Sequence, residues 1–308
     1  MRGSGRGTPR RPDPPEPRQE RPTANFARAT AALLVPFVVA GCLPQQPDEL
    51  PVRVKHVRDV DSLVLLLDAY RTSPAQRRLM QRAEKTLVSP CLRRFRIAVD
   101  FGDPAAPPFS QNARRYGLAD EARASKLGYS TPEITRRPPR PNLPPLARKA
   151  AWGDGPAKIR GRNLPEGGCV GEAGRTLSTG APPAGILADL LAFSTLETSA
   201  KDRRVRVAFG RWSSCMKRSG HTYATPKDAN RDRRFIDGPD HRVSPTETAT
   251  AVTDVRCKHQ AHLIDVWAGV GDAYQRRLIA RHKSELDRER ATHAIRLSIA
   301  NKALETSG

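Results

Sequence analysis

A short apolar segment, residues 31–41, divides the chain into two parts with different prospects of folding. Residues 1–25 are rich in proline, arginine and glycine and carry no core-forming residues, so we expect them to be disordered. The apolar segment is interrupted by Pro36 and is about eleven residues long, whereas a transmembrane helix needs about 20 apolar residues. The segment is therefore too short to span a membrane, and a folded domain has to be built from the residues that follow it.

The apolar segment ends in Val39, Ala40 and Gly41, and Cys42 follows it directly. Arg28 supplies positive charge before it. Positive charge, then about 7–15 apolar residues, then small residues is the pattern of a secretory signal peptide. Residues 39–42 resemble the lipobox of bacterial lipoproteins, in which the cysteine becomes the lipidated N-terminus. This resemblance implies a signal peptide over residues 1–41, a palmitate-type anchor on Cys42 and a location at the extracytoplasmic face of the cell membrane. A buried core cysteine is the alternative interpretation.

Four further cysteines, Cys91, Cys169, Cys215 and Cys257, form an even number, which in an exported chain indicates two disulfide bonds. They show no C-x-x-C spacing, which argues against a zinc site or a thioredoxin-like redox centre. Three pairings are possible. We expect Cys215–Cys257 and Cys91–Cys169, because Cys215 and Cys257 lie on consecutive predicted helices that could pack antiparallel. The sequence alone leaves the other pairings open.

Helical signals dominate most of the chain after residue 57. Ser73 and Pro74 place an N-cap and an N1 proline before a run whose apolar residues recur every three or four positions. A Ser-Pro-Thr-Glu capping box at 244–247 begins a long central helix that we expect to reach about Ala280, with a charged extension beyond it. Similar patterns predict helices over 120–127, 184–196 and 205–216. We therefore predict an all-α, disulfide-stapled domain.

Residues 101–183 are rich in proline, which excludes long regular elements there. We expect this middle segment to be irregular, with a short helix at 120–127, and to be partly disordered over about 136–150. The predicted organisation is thus a signal peptide with a disordered leader (1–41), a tether (42–56) and a helical domain (57–308).

The chain is strongly basic, with a formal net charge of +21. Residues 1–41 carry seven arginines and three acidic residues, so 46 basic and 29 acidic side chains remain from Cys42 onward and the net charge there is +17. Such a charge favours nucleic acid in a cytoplasmic protein, but the signal segment argues against that partner. In the envelope, the candidate partners are the membrane itself, anionic lipid or wall polymer, and another envelope protein. Because the charge is spread along the chain, solvation of helix faces is the simpler interpretation.

The sequence carries no recognised catalytic, nucleotide-binding or zinc-ribbon motif, and it implies no cofactor. His259, His262 and Asp265, spaced i, i+3, i+6 on the predicted long helix, are weak candidates for metal ligands, with solvated helix residues as the alternative. Three aromatic residues could line a pocket, although aromatic residues at helical spacing more often form core: Trp212, Tyr223 and Trp267.

Four stretches of the chain carry a family resemblance: residues 114–129, 167–173, 212–229 and 248–267. They are similar to an uncharacterised group of secreted or lipid-anchored actinomycete proteins with the same four-cysteine layout. The resemblance implies a compartment and a fold, but no activity and no site residues. We therefore expect a non-catalytic binding or interaction module of the cell envelope. The alternatives are an extracytoplasmic hydrolase with an unrecognised site and, if there is no signal peptide, a nucleic-acid-binding protein.

Overall fold

The computed structural model describes residues 50–107, 109–131, 143–155, 157–236 and 242–306. These residues form a 3-10 helix (Leu66–Tyr70), one antiparallel hairpin (β1, Lys158–Ile159; β2, Arg162–Asn163) and eleven α-helices. The α-helices are α1 (Pro74–Arg94), α2 (Glu121–Leu127), α3 (Pro145–Trp152), α4 (Gly168–Leu177), α5 (Leu187–Ala200), α6 (Arg203–Arg218), α7 (Pro226–Asn230), α8 (Arg233–Ile236), α9 (Pro245–Gln260), α10 (Leu263–Arg281) and α11 (Lys283–Glu305). The predicted all-α, disulfide-stapled fold is confirmed. None of the helices in the described ranges has the length and apolar character that a membrane crossing requires.

Side-chain caps begin the helices where the sequence predicted them. Ser73 accepts a hydrogen bond from the backbone N–H of Gln76 at the start of α1, and Ser244 accepts one from Glu247 at the start of α9. Each helix has proline at its first position, where a missing N–H costs no helical hydrogen bond. Local chemistry therefore fixes where these two long helices start.

The two disulfides lie in separate hydrophobic cores. Cys91–Cys169 joins α1 to α4, within a core that α3 and Ile159 complete. Cys215–Cys257 joins α6 to α9, within a core that includes α2 and the fully buried Trp212. In each bridge the Cα atoms are 5.6 Å apart, and the pairing is the one expected from the sequence. Each core therefore has its own covalent link between two helices.

Helices α5, α10 and α11 connect the two cores. α10 packs against α5 and α6, and α11 packs against α1 and α5. Leu263 at the start of α10 belongs to the α6–α9 core, while the adjacent Ile264 belongs to a third cluster with Leu63 and Tyr116. α10 is therefore in contact with more than one cluster, as expected for a central helix.

Residues 50–57, which we call the N-terminal strap, lie across α10. The backbone N–H of Val57 donates to Asp265 Oδ1 at 2.8 Å, and Lys55 Nζ lies 2.7 Å from Asp272 Oδ2. A Cβ atom at Gly269 would lie 2.5 Å from the carbonyl oxygen of Arg53, so only glycine lets the strap approach this closely. The expectation that the tether extends to residue 56 is therefore wrong for residues 50–56.

The middle segment is more regular than expected between residues 143 and 155. Pro145 starts α3, and Gly153, with φ +79°, ends it in the left-handed conformation. Three small side chains of this helix are buried: Ala147, Ala150 and Ala151. The predicted disorder is wrong for residues 143–150, because Leu143 packs in a core and Pro145 starts a helix instead of preventing one. The rest of that prediction, residues 136–142, lies outside the described residues.

The predicted long central helix is two helices. α9 ends at Gln260, and His262 adopts φ +49° before α10 begins at Leu263. Histidine is one of the few residues other than glycine that is enriched at positive φ. The sequence contains neither glycine nor proline at this corner, which is why helical periodicity alone predicted one element.

Reduction of the disulfides should strongly lower the melting temperature. The bridges close loops of 78 and 42 residues, and in the chain-entropy model each contributes about 4 kcal/mol. For a domain of this size that corresponds to a fall on the order of 10 °C per bridge. Calorimetry of oxidised and of reduced, alkylated protein measures the fall. Non-reducing peptide mapping checks the pairing, and a Cys91 peptide linked to Cys215 or Cys257 would contradict it.

Substitution of Gly269 should show whether this glycine affects stability through close packing against the strap or through helix propensity. Gly269→Ala should destabilise the protein by about 1–3 kcal/mol, because the added methyl collides with the strap backbone. Gly210→Ala on α6 is the matched control, since a Cβ there has no heavy atom within 4 Å. The control should stabilise the protein by about 0.5–1 kcal/mol, which is the usual gain for alanine over glycine in a helix. Urea unfolding measures both, and equal effects would contradict the assigned role of Gly269.

Candidate functional site

The three candidate metal ligands are not brought together. His259 lies on α9, His262 forms the corner, and Asp265 lies on α10. His262 Nδ1 is 3.2 Å from Asp265 Oδ2, and the other carboxylate oxygen of Asp265 accepts the hydrogen bond from the strap. Within the described ranges, no group of three or more His, Cys, Asp or Glu side chains is arranged to hold a metal ion. The break in the helix removes the regular spacing on which this candidate depended.

The candidate pocket aromatics serve the interior of the domain. Trp212 is fully buried in the α6–α9 core. Trp267 packs against the rings of Tyr116 and Phe209, each with a centroid distance of 5.0 Å, and its indole N–H donates to Ser199. Tyr223 donates to Asp232 at 2.7 Å. The core interpretation therefore describes these residues better than a shared pocket does.

A buried ion pair lies beside Trp212. Lys258 Nζ is 2.8 Å from Asp254 Oδ2, one turn earlier on α9, and both side chains are almost completely inaccessible to solvent. The indole N–H of Trp212 donates to Asp254 Oδ1 at 2.9 Å, and Lys258 donates to the carbonyl oxygen of Leu118 at 2.7 Å. The pair therefore connects α9 to α6 and to the segment before α2. The pair was not predicted from the sequence, although residues 254–258 place a carboxylate and a lysine at i, i+4.

Burial opposes ionisation of both members of this pair. Loss of solvent raises the pKa of the Asp254 carboxyl and lowers the pKa of the Lys258 ammonium, while their mutual attraction counteracts both shifts. Asp254 also accepts a hydrogen bond from the Trp212 indole, and Lys258 also donates one to the carbonyl oxygen of Leu118. Because neither side chain reaches a groove or the surface, this arrangement stabilises the fold and does not offer a reactive group to a substrate.

Glu247 is a second buried carboxylate with a structural task. It is the third residue of α9, and its Oε1 accepts a hydrogen bond from the backbone N–H of Tyr129 at 2.9 Å. A Cβ at Gly128, with φ +54°, would lie 2.5 Å from the same oxygen. The sequence predicted Glu247 as part of the capping box that starts α9. Its side chain has a second role that was not predicted, because it holds the end of α2 against α9.

A surface groove of about 500 Å³ lies between α6 and the end of α9. Arg211 and Arg218 supply positive charge, and Ser214 and Gln260 supply neutral polar groups. The full lining consists of Val207, Gly210, Arg211, Ser214, Cys215, Arg218, Gln260 and Ala261. These lining residues include no His, Asp or Glu, so the groove holds no general base beside its one hydroxyl group. Its chemistry suits the binding of an anionic group.

A smaller groove of about 180 Å³ lies between α1 and the segment after it. Its basic residues are already engaged: Arg82 pairs with Asp103, and Lys85 donates to the carbonyl oxygens of Phe101 and Gly102. These contacts hold residues 100–104 against α1. This groove is therefore a weaker candidate for binding than the one on α6.

Comparisons with protein-family models, with curated proteins and with solved structures found no match to this chain. The resemblance to a four-cysteine actinomycete group stays a prediction. The groove and the surface of the domain therefore have to be interpreted from their own chemistry.

Removal of one member of the buried ion pair should strongly destabilise the protein. Lys258→Met leaves the Asp254 carboxylate buried without a counter-charge, which typically costs about 3–5 kcal/mol. The double variant Asp254→Asn/Lys258→Met should cost clearly less, because it removes both charges and keeps an oxygen for the Trp212 N–H. Urea unfolding of the single and double variants measures the difference.

The matched control is the exposed pair of Arg256 and Glu121. Arg256→Ala should change stability little, because exposed pairs are screened by solvent. A Lys258→Met protein as stable as the Arg256→Ala protein would contradict the structural role of the buried pair.

Proposed function

We propose that the protein is a lipid-anchored module of the bacterial cell envelope that acts by binding and not by catalysis. The observation that carries the proposal is the pair of disulfides, Cys91–Cys169 and Cys215–Cys257, each of which links two helices inside its own core. Disulfides of this structural kind persist in oxidising compartments and are rare in the cytoplasm. They agree with export directed by the apolar segment that ends at Cys42, which lies outside the described residues.

Lipidation of Cys42 would give the protein a stable place on the membrane. Two acyl chains hold a protein at a bilayer, whereas one chain gives only reversible binding. The positive charge that remains after removal of residues 1–41 favours an anionic membrane or wall polymer over a neutral surface. The proposed location is therefore the extracytoplasmic face of the cell membrane.

Binding is the activity that the groove on α6 supports best. It offers two guanidinium groups, a hydroxyl and an amide, which recognise anions through charge and hydrogen bonds. The buried carboxylates Asp254 and Glu247 are engaged in holding α9 to its neighbours. We propose an acidic segment of an envelope protein or an anionic polymer as the ligand class of this groove.

Metabolic labelling tests the anchor. When the protein is expressed in a bacterial host fed with labelled palmitate, the wild-type protein should incorporate the label and the Cys42→Ser protein should not, because the substitution removes the thiol that is acylated. The Cys42→Ser protein should also leave the membrane fraction or keep its unprocessed leader. Gly210→Ala is the control for expression and labelling, since it leaves Cys42 and both disulfides intact. Equal labelling of the wild-type and Cys42→Ser proteins would contradict the proposal.

A further inference from the structure

Helix α5 packs into the domain through four small side chains and three leucines. Ala188, Ala192, Thr195 and Ser199 recur at i, i+4, i+7 and i+11, and each is at most 3% exposed. Ala188 and Ala192 pack with Leu67 of the 3-10 helix and Leu286 of α11, and Ser199 accepts a hydrogen bond from the indole N–H of Trp267 on α10. Leu187, Leu191 and Leu196 of α5 are partly buried beside them.

Three other large apolar side chains of this region are exposed to solvent. Ile186, directly before α5, is 64% exposed, and Leu190 and Phe193 within α5 are 55% and 62% exposed. Their i, i+4, i+7 spacing places them in one line along the helix. We call these three residues the α5 stripe. Single exposed apolar residues are common, whereas three aligned on one helix form a contiguous apolar patch.

The charges around the α5 stripe suit an anionic surface. Asp189 lies next to Leu190 of the stripe. Its carboxylate accepts a hydrogen bond from Arg71 Nε at 2.6 Å, and the positive charge of Arg71 offsets its negative charge. Glu197 is exposed one turn after Phe193, and the exposed Lys201 and Arg206 follow beyond the helix end. The chain from Cys42 onward adds a net charge of +17. Lys201 and Arg206 therefore offer basic groups to an anionic phospholipid surface at one end of the stripe, and the net charge of the chain adds a general attraction.

The attachment point of the tether lies close to the end of α5. The carbonyl oxygen of Leu50 accepts a hydrogen bond from Arg204 Nη1 at 2.9 Å, and Arg204 lies in the first turn of α6, four residues after α5 ends. Only seven residues separate Leu50 from Cys42, so these two Cα atoms are at most about 29 Å apart. Phe193 is about 10 Å along the helix from Ala200. An anchor on Cys42 therefore leaves the α5 stripe within reach of the same membrane.

We propose that the α5 stripe inserts into the interfacial region of the anionic membrane that carries the lipid anchor. The proposal rests on lipidation of Cys42 and adds an orientation, with α5 lying in the plane of the membrane and the groove on α6 displayed beside it. Interfacial helices bury their apolar face about 5–10 Å into the boundary between head groups and acyl chains. A second copy of the chain fits less well, because three side chains offer little area compared with the about 800 Å² per partner that a stable interface buries.

Fluorescence quenching by the bilayer tests the proposal. The lipidated, membrane-extracted protein is reconstituted into vesicles of phosphatidylcholine and phosphatidylglycerol with bromine atoms on the acyl chains. Phe193→Trp should add an emission that is blue-shifted and largely quenched by the bromines. Leu146→Trp is the matched control, because Leu146 is 39% exposed on α3, a helix whose Ala147 and Ala150 pack in the other disulfide core. Its added emission should stay unquenched.

A negative charge placed within the stripe should abolish most of the quenching by the bilayer. Leu190→Glu combined with Phe193→Trp should lose about nine-tenths of the quenching or more, since removing a leucine from the interface weakens insertion about tenfold or more. Near-UV circular dichroism checks that each variant is folded. Equal quenching of the Phe193→Trp and Leu146→Trp proteins, or quenching of neither, would overturn the proposal.

Three outcomes distinguish membrane insertion of the α5 stripe from self-association and from failure of the proposed anchor. A blue shift of Phe193→Trp that depends on protein concentration and persists without bromine quenching would overturn the proposal in favour of self-association. Failure of the wild-type protein to incorporate palmitate would instead overturn the proposed anchor. A lipidated protein whose Phe193→Trp variant is not quenched would keep its anchor and lose only the orientation.

Discussion

The buried ion pair of Asp254 and Lys258 is the interaction on which the larger core depends. It brings together Trp212 from α6, the carbonyl oxygen of Leu118 and the middle of α9. Each of these polar groups would be costly to bury without a partner, so the three segments have to meet in one arrangement. The disulfide between Cys215 and Cys257 joins the same two helices close to this point. A covalent link and a charge pair thus hold α6 and α9 in the same relation.

The sequence predicted those features that depend on neighbouring residues. Serine caps followed by proline marked the starts of α1 and α9, and the helix predicted over 120–127 agrees with α2 to within one residue. The disulfide pairing followed from the order of the predicted helices. These signals are local or follow the chain order, which is the information that a single sequence carries most directly.

Features that depend on distant residues were not predictable in the same way. Nothing near residues 50–56 indicates that α10 will accept them, because Gly269 acts through the space that it leaves free. The corner at His262 separates two helices without a glycine or proline signal. The groove on α6 likewise takes its shape from helices that are remote in the chain. Its arginines were visible in the sequence only as part of a general basic character, since packing decides which of many arginines share a groove.

The N-terminal strap determines where mechanical load enters the domain. Leu50 and Val57 hydrogen-bond to residues 154 and 208 positions further along the chain, and these partners lie on α6 and α10. Tension from an anchored tether would therefore reach the middle of the fold directly and would not peel the domain from its first residues. Because the strap bonds to two different helices, the load would be shared between them. With the proposed anchor on Cys42, the missing side chain at Gly269 would thus place the point of attachment against α10.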